Sequence, residues 1–323
     1  MATAAEAKDR IRQLGRGFRL GPSAAIWLAV VGVLLVARAV SAGFWDIGHL
    51  LNVARQASGL AIVTIGQTYV ILTGGLDLSN GMVITLVDVV AATILNGKDD
   101  LLVPVIFLCL GIGTLVGLIN GLMVTKLKIP PLVGTLGMFS ILKGIAYVYT
   151  GGSPKGYIPP SLTFVGNGFI GPIPTAVFFG VGFTILGIIV LHKTSFGRYL
   201  YAVGGNPKAA RLSGVRADQV VIMAYVSSGL LAAIGGLVLA GFIGTGTLSM
   251  GEGYNLNSIA ATVVGGTAFS GGVGTVIGSA GGALFLALVV SLLRFLGLPY
   301  SSQLMVQGAI LAIATYAHAR AQR

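Results

Sequence analysis

Residues 101–124 read LLVPVIFLCLGIGTLVGLINGLMV, without one charged side chain. As a helix this run is about 36 Å long at roughly 1.5 Å per residue, more than the about 30 Å of hydrocarbon in a bilayer. A surface helix of a water-soluble protein would carry a polar face, and this run has none. It reads as a membrane span.

Comparable runs recur on both sides. They predict ten spans at about 24–40, 57–73, 82–96, 101–124, 130–150, 174–191, 218–243, 256–269, 275–294 and 302–317. Composition agrees, since only 9% of the 323 residues are charged against about a quarter in soluble domains. No long polar linker divides the runs, so residues 23–318 read as one membrane domain between an N-terminal tail, 1–22, and a C-terminal tail, 319–323. Cys109 is the only cysteine, so no intramolecular disulfide can form. The basic start before the first run could open a secretory leader, with Ala37-Arg38-Ala39 or Val40-Ser41-Ala42 as the cleavage site. The run is long for a leader and further spans follow, which favours an uncleaved helix.

The net charge of +11 is scattered through short loops, unlike the basic face of a nucleic-acid binder. With Lys8, Arg10, Arg12, Arg16 and Arg19 of the tail placed in the cytoplasm, alternate loops put Lys126, Lys128, Lys193, Arg198, Lys208, Arg211, Arg216, Arg320 and Arg323 on the same side. The other six, Arg38, Arg55, Lys98, Lys143, Lys155 and Arg294, are mostly single residues near span ends, where long side chains can snorkel. The expected fold is an all-α integral membrane protein of about ten transmembrane helices with both termini cytoplasmic.

Glycines inside the spans suit close helix packing in lipid. Some of them echo one another. Gly111 to Gly117, with Gly121, is matched by Gly272 to Gly278 with Gly282, and Gly75-Leu76-Asp77-Leu78-Ser79 by Gly253-Tyr254-Asn255-Leu256-Asn257. In the expected topology the copies run in opposite directions, which predicts two inverted four-helix repeats, the arrangement that in transporters flanks a pathway of broken helices.

Catalytic motifs are missing. There is no G-x-x-x-x-G-K-[ST] phosphate loop, no H-E-x-x-H and no G-x-S-x-G, and His49, His192 and His318 lie near span ends. Ionisable residues within or beside spans are few: Asp77, Asp88 and Lys143. Asp88 and Lys143 are either a buried pair, or a carboxylate in a wet cavity and a snorkelling lysine. Thr73 to Gly81, TGGLDLSNG, is a polar, glycine-rich stretch between apolar runs. It is a turn capping the next helix or a re-entrant break facing a pathway, and the latter is the expectation.

The longest inside loop, 192–217, contains Gly204-Gly205-Asn206-Pro207-Lys208-Ala209-Ala210-Arg211-Leu212-Ser213-Gly214-Val215. Asn206 can cap a helix with Pro207 at its first position and Gly214 past its end. A short helix over Pro207 to Ser213 follows.

At this loop the chain resembles the permease subunits of ribose-type bacterial ABC importers. The likeness rests also on Gly66-Gln67-Thr68-Tyr69-Val70-Ile71-Leu72-Thr73-Gly74-Gly75-Leu76-Asp77-Leu78-Ser79, on Gly253 to Ala261 with Gly265-Gly266-Thr267, and on Ser270 to Thr275. It runs from about Leu51 to Tyr316. The resemblance implies a transport subunit of the inner membrane that is not itself an enzyme and holds no cofactor, ATP and Mg being bound by a partner ATPase. It further implies a periplasmic solute-binding protein, a second permease copy or paralogue, and a monosaccharide or polyol as cargo. It makes the loop the ATPase-coupling element, carried by Gly204, Gly205, Asn206, Pro207, Ala209, Ala210, Arg211, Leu212 and Gly214. Candidate pathway residues are Thr73, Asp77, Ser79, Asn80, Asp88, Lys143, Asn255 and Asn257. The family typically has acidic residues at Asn255 and Asn257, a small apolar residue at Asn80, no charge at Asp88 and often arginine at Lys143, so a solute would meet different hydrogen-bonding groups here. The rival readings are an ion-coupled transporter acting without an ATPase and a membrane enzyme.

Overall fold

The structure is a computed structural model that describes residues 22–321. The N-terminal tail with its basic residues and Arg323 lie outside the described residues. The described residues are mostly helical. In order come α1 (Pro22–Val40), a 3-10 turn (Ala42–Trp45), α2 (Ile47–Leu72), α3 (Asn80–Leu95), α4 (Leu102–Thr125), α5 (Pro131–Thr150), α6 (Pro160–Asn167) and a two-stranded hairpin of β1 (Phe169–Ile170) and β2 (Ile173–Pro174). Then follow α7 (Thr175–Lys193), α8 (Ser195–Gly205), α9 (Pro207–Leu212), α10 (Ala217–Ile243), α11 (Tyr254–Val264), α12 (Val276–Phe295) and α13 (Tyr300–Ala321).

Five of these, α4, α5, α7, α10 and α12, are long and apolar enough by length and composition to cross a membrane, and α1 and α3 are shorter apolar helices. Large side chains such as Phe107, Leu115, Ile141, Val148, Phe178 and Ile189 stand exposed along α4, α5 and α7. Apolar surface of that extent suits lipid, where water would penalise it. Hydroxyls inside the bundle turn back on their own helices, as where Thr64 Oγ1 donates to Leu60 O at 2.7 Å and Thr262 Oγ1 to Ser258 O at 2.7 Å. Each thereby finds an acceptor where no water is at hand.

The core is built around α10, which packs along α2, α3, α4 and α6. It runs antiparallel to α4: Gly113 faces Gly229 and Ala233, Gly117 faces the backbone of Tyr225, and Gly121 faces Ile222. A Cβ at Gly117 would overlap Tyr225 O, so the backbones meet only because glycine stands there. Neighbours recur in the two halves: α10 packs on α4 and α3 much as α2 packs on α12 and α11, and α3 touches α4 and α5 as α11 touches α12 and α13.

Several expectations need correction. α2 begins at Ile47, not at 57, and α11 ends at Val264, not at 269, where Gly265 and Gly266 turn the chain. α6, the hairpin and α8 were not expected. The glycine echo is not structurally equivalent throughout: Gly111 to Gly117 lies in the middle of α4, whereas Gly272 and Gly274 lie in the loop ahead of α12 with positive φ. The other pair does correspond in place, since Gly75 to Ser79 and Gly253 each lead from a long helix, α2 or α10, into a short one, α3 or α11.

Turns sort onto two faces. On one, Gly97 N donates to Tyr157 O at 2.8 Å, Tyr157 bridges Thr245, and Phe44 and His49 pack against Phe295. On the other, Asp218 accepts from Lys126 at 3.3 Å and from Arg211 at 2.9 Å.

Candidate functional site

The polar stretch after α2 is a break inside the bundle. Asp77 is 1% exposed, and Ser79 and Asn80 are fully buried. The Asp77 carboxylate accepts from Ser79 N (3.0 Å), Ser79 Oγ (2.7 Å) and, across to α10, Ser228 Oγ (2.8 Å). Asn120 Nδ2 of α4 donates to Ser79 Oγ at 2.8 Å, and Leu78 N donates to Thr135 Oγ1 of α5 at 3.2 Å. Asn80 Nδ2 donates to Gln67 Oε1 at 3.1 Å and to Ser258 Oγ of α11 at 2.9 Å. Five helices thus meet at the non-helical segment and at Asn80, the first residue of α3, and the segment's backbone could not survive in lipid without polar partners. Gln67, Asn120, Ser228 and Ser258 are members that sequence reading missed, because single polar residues inside apolar runs show no spacing that distinguishes them.

The remaining candidates lie elsewhere. Asp88, fully buried in α3, accepts from Thr247 N at 2.7 Å in the segment after α10. It does not meet Lys143, whose Nζ lies 3.8 Å from Glu252 Oε1, so of the two readings of these residues the buried pair is not formed. Arg55 does not snorkel: it is 8% exposed, hydrogen-bonded to Asn167 Oδ1, with Phe169 and Phe242 rings 4.9 and 5.7 Å from its guanidinium carbon. Asn255 opens α11 beside Gly81. Asn257 borders a cavity of about 210 Å³ together with Gln56, Glu252, Arg294, Gln303 and Gln307. This cavity lies at the ends of α2, α11, α12 and α13, on the face of the Phe44, His49 and Phe295 cluster.

The opposite face carries α9. Asn206 Oδ1 accepts from Lys208 N at 3.1 Å and Ala209 N at 3.0 Å, Pro207 takes the first position, and Ser213 and Gly214 (φ +83°) end the helix. Asn206, Pro207, Ala209, Arg211 and Leu212 are exposed, with Leu212 at 91%. Ala210 is buried and anchors the helix to Val203, Ala217 and Val220, so it presents nothing to a partner. Gly204 is likewise internal: a Cβ there would overlap Leu72 O and Gly272 N. Thr73 borders a second cavity, of about 370 Å³, with Lys128, Pro207, Arg211 and Asp218, which puts it beside α9 and away from Asn255 and Asn257. Among the described residues no group of three or more His, Cys, Asp or Glu could hold a metal ion.

Such an assembly can hold polar backbone inside a bilayer and offer a small capped helix outside it. The chain is similar to known transport proteins. A family model described as branched-chain amino acid transport system / permease component matches residues 49–315. The ribose import permease protein of Bacillus subtilis is 37% identical over 302 residues, 92% of this chain and 91% of its own. That of Escherichia coli K12 is 35% identical over 89% of this chain and 90% of its own. The galactose/methyl galactoside import permease protein of Escherichia coli K12 is 35% identical over 84% and 86%. No solved structure matches the chain. A match that runs nearly from end to end, over helices with the length and apolarity of membrane spans, means that the chain belongs to this permease family, as a permease subunit of the ribose importer type.

Proposed function

We propose that the chain is the transmembrane permease of an ATP-binding cassette importer that passes a monosaccharide or related polyol across the bacterial inner membrane by alternating access. The observation that carries this reading is α9. A capped helix with a leucine 91% exposed stands among Lys126, Arg211 and Arg216, on a face too charged for lipid. An exposed apolar side chain on such a face suits a protein partner.

In this reading the partner is a cytoplasmic ATPase that binds ATP and Mg and contacts Asn206, Pro207, Ala209, Arg211 and Leu212. The basic face is cytoplasmic, in keeping with the positive-inside rule, and ten spans cross the bilayer with both termini inside. The opposite face receives solute from a periplasmic binding protein, and a second permease copy or paralogue completes the pore. The recurring neighbours of α2–α5 and α10–α13 support inverted repeats that rock against each other around the breaks at Asp77 and Gly253. A sugar-like cargo follows from the relatives, two of which are named for ribose and one for galactose import.

In vesicles holding permease, ATPase and binding protein, Ala209→Trp and Arg211→Glu should each abolish solute-stimulated ATP hydrolysis. Unchanged stimulation in both would refute the coupling role, and uptake driven by an ion gradient without the ATPase would refute the importer.

A further inference from the structure

The cavity between the ends of α2, α11, α12 and α13 has no role in the coupling scheme, yet Gln56, Glu252, Asn257, Arg294, Gln303 and Gln307 make its walls polar. We infer that it is a subsite for one neutral, polyhydroxylated solute molecule, held by Gln56, Glu252, Asn257, Arg294, Gln303 and Gln307. This rests on the importer reading and names where the chain first holds its cargo.

Three observations carry it. The first is construction. Gln303 is 5% exposed, donates from Nε2 to Leu298 O at 3.2 Å and accepts at Oε1 from Arg294 Nε at 3.3 Å. Arg294 Nη1 donates to Gln56 Oε1 at 3.3 Å. The guanidinium is therefore fixed between α2 and α13 and keeps further N–H groups for a ligand.

The second is chemistry. A sugar hydroxyl both donates and accepts, so a site for vicinal hydroxyls needs both capacities. Amides supply both, the guanidinium donates and the Glu252 carboxylate accepts. The side-chain amides of Asn257 and Gln307 have no hydrogen-bond partner within the described residues. Arg294 and Glu252 carry opposite charges across the cavity, and Lys143 Nζ lies 3.8 Å from Glu252 Oε1, so a cation would meet Arg294 and Lys143 and an anion would compete with Glu252 for them, whereas a neutral molecule does neither.

The third is size. About 210 Å³ admits a single sugar ring and not two, and drug-sized ligands take larger pockets.

Cys109 is buried and is the only cysteine, so Ala287→Cys on the cavity wall gives a unique reporter thiol in the full chain in lipid nanodiscs. D-ribose, D-galactose and sorbitol are the probes, and labelling by a water-soluble maleimide is the readout. At ten times its dissociation constant a bound probe should slow labelling about elevenfold. Asn257→Leu and Gln307→Leu, introduced separately, should each weaken binding about tenfold, for the loss of one hydrogen bond of roughly 1.4 kcal/mol, so that at the same probe concentration the slowing falls from about elevenfold to about twofold. Undiminished protection in both variants would place the bound probe elsewhere and overturn the site. Protection by glucuronate alone would overturn the neutral class. If no probe protects while permease, ATPase and binding protein together import one of them into vesicles, the cavity assignment fails and the importer reading stands. Protection without any ATP-driven uptake would sink the importer reading and leave the binding site.

Discussion

Replacing Asn206 by alanine tests the proposed docking role of α9 with the least disturbance to the bundle. Its side-chain oxygen accepts from the amides of Lys208 and Ala209, and both would lose their partner. Loss of such a cap costs about 1 kcal/mol, within a range of roughly 0.5–2, and α9 has only six residues over which to recover it. Helices this short are marginal on their own, so the loss falls on the population of the ordered helix. If the ATPase binds only that form, a 1 kcal/mol penalty lowers its apparent affinity by up to about fivefold. Asn206→Asp keeps the acceptor and should bind as wild type. Titration of the ATPase onto permease in nanodiscs measures this directly, and thermal unfolding of the permease alone should hardly move, because the changed side chain is exposed. Wild-type affinity in Asn206→Ala, with Asn206→Asp equal to both, would refute the dependence of docking on a preformed α9.

Three further outcomes follow from the packing. Asp77→Ala leaves Ser79 N and Ser228 Oγ without an acceptor, at about 1–3 kcal/mol for each buried group; thermal unfolding in detergent should show a clear loss, smaller in Asp77→Asn, and an unchanged midpoint would mean that the break is held by other contacts. Gly117→Ala drives a Cβ into Tyr225 O whereas Gly111→Ala meets nothing, so the first should lose about 1–3 kcal/mol by overpacking and the second should melt as wild type; equal melting would disprove the α4–α10 contact. Asp218→Ala removes the partner of both Lys126 and Arg211, which as exposed pairs contribute less than about 1 kcal/mol; stability should hold while coupled ATP hydrolysis falls, and full coupling would show that these pairs do not orient α9.

The apolar stretches were legible because membrane helices need length and apolarity together, and all ten expected spans overlap helices. Their ends were legible only where chemistry marks them. Asn206, Pro207 and Gly214 announced α9 almost to the residue, whereas about the first three turns of α2 were hidden by Asn52, Arg55 and Gln56, polar residues that read as loop. Arg55 is helical and buried because Phe169, Phe242 and Asn167, more than a hundred positions away, surround it. α8 was hidden by Gly197, Gly204 and Gly205, where helix propensity is low and backbone contact to Leu191, Leu72 and Gly272 overrides it. For the site, the stretch around Asp77 was visible as polar residues in an apolar context, but its partners Asn120, Ser228 and Ser258 were not, since a pairing across the bundle leaves no trace in local spacing.

That same glycine pattern explains how a push at α9 could reach both halves of the bundle. Gly205 directly precedes Asn206, the cap of α9, and Gly204 rests on the end of α2 and on Gly272 with no side chain between them. Gly272 N donates to Leu72 O at 2.9 Å, and Tyr201 OH of α8 donates to Gly274 O at 2.7 Å. Leu72 is the last residue before the break at Asp77, and the loop around Gly272 joins α11, which begins at the other break, to α12. Side chains in a contact can absorb displacement by changing rotamer, whereas backbone against backbone must move together or separate. A shift of α9 would then be passed to the ends of α2 and α11 jointly, the coordination that two repeats rocking around one pathway require.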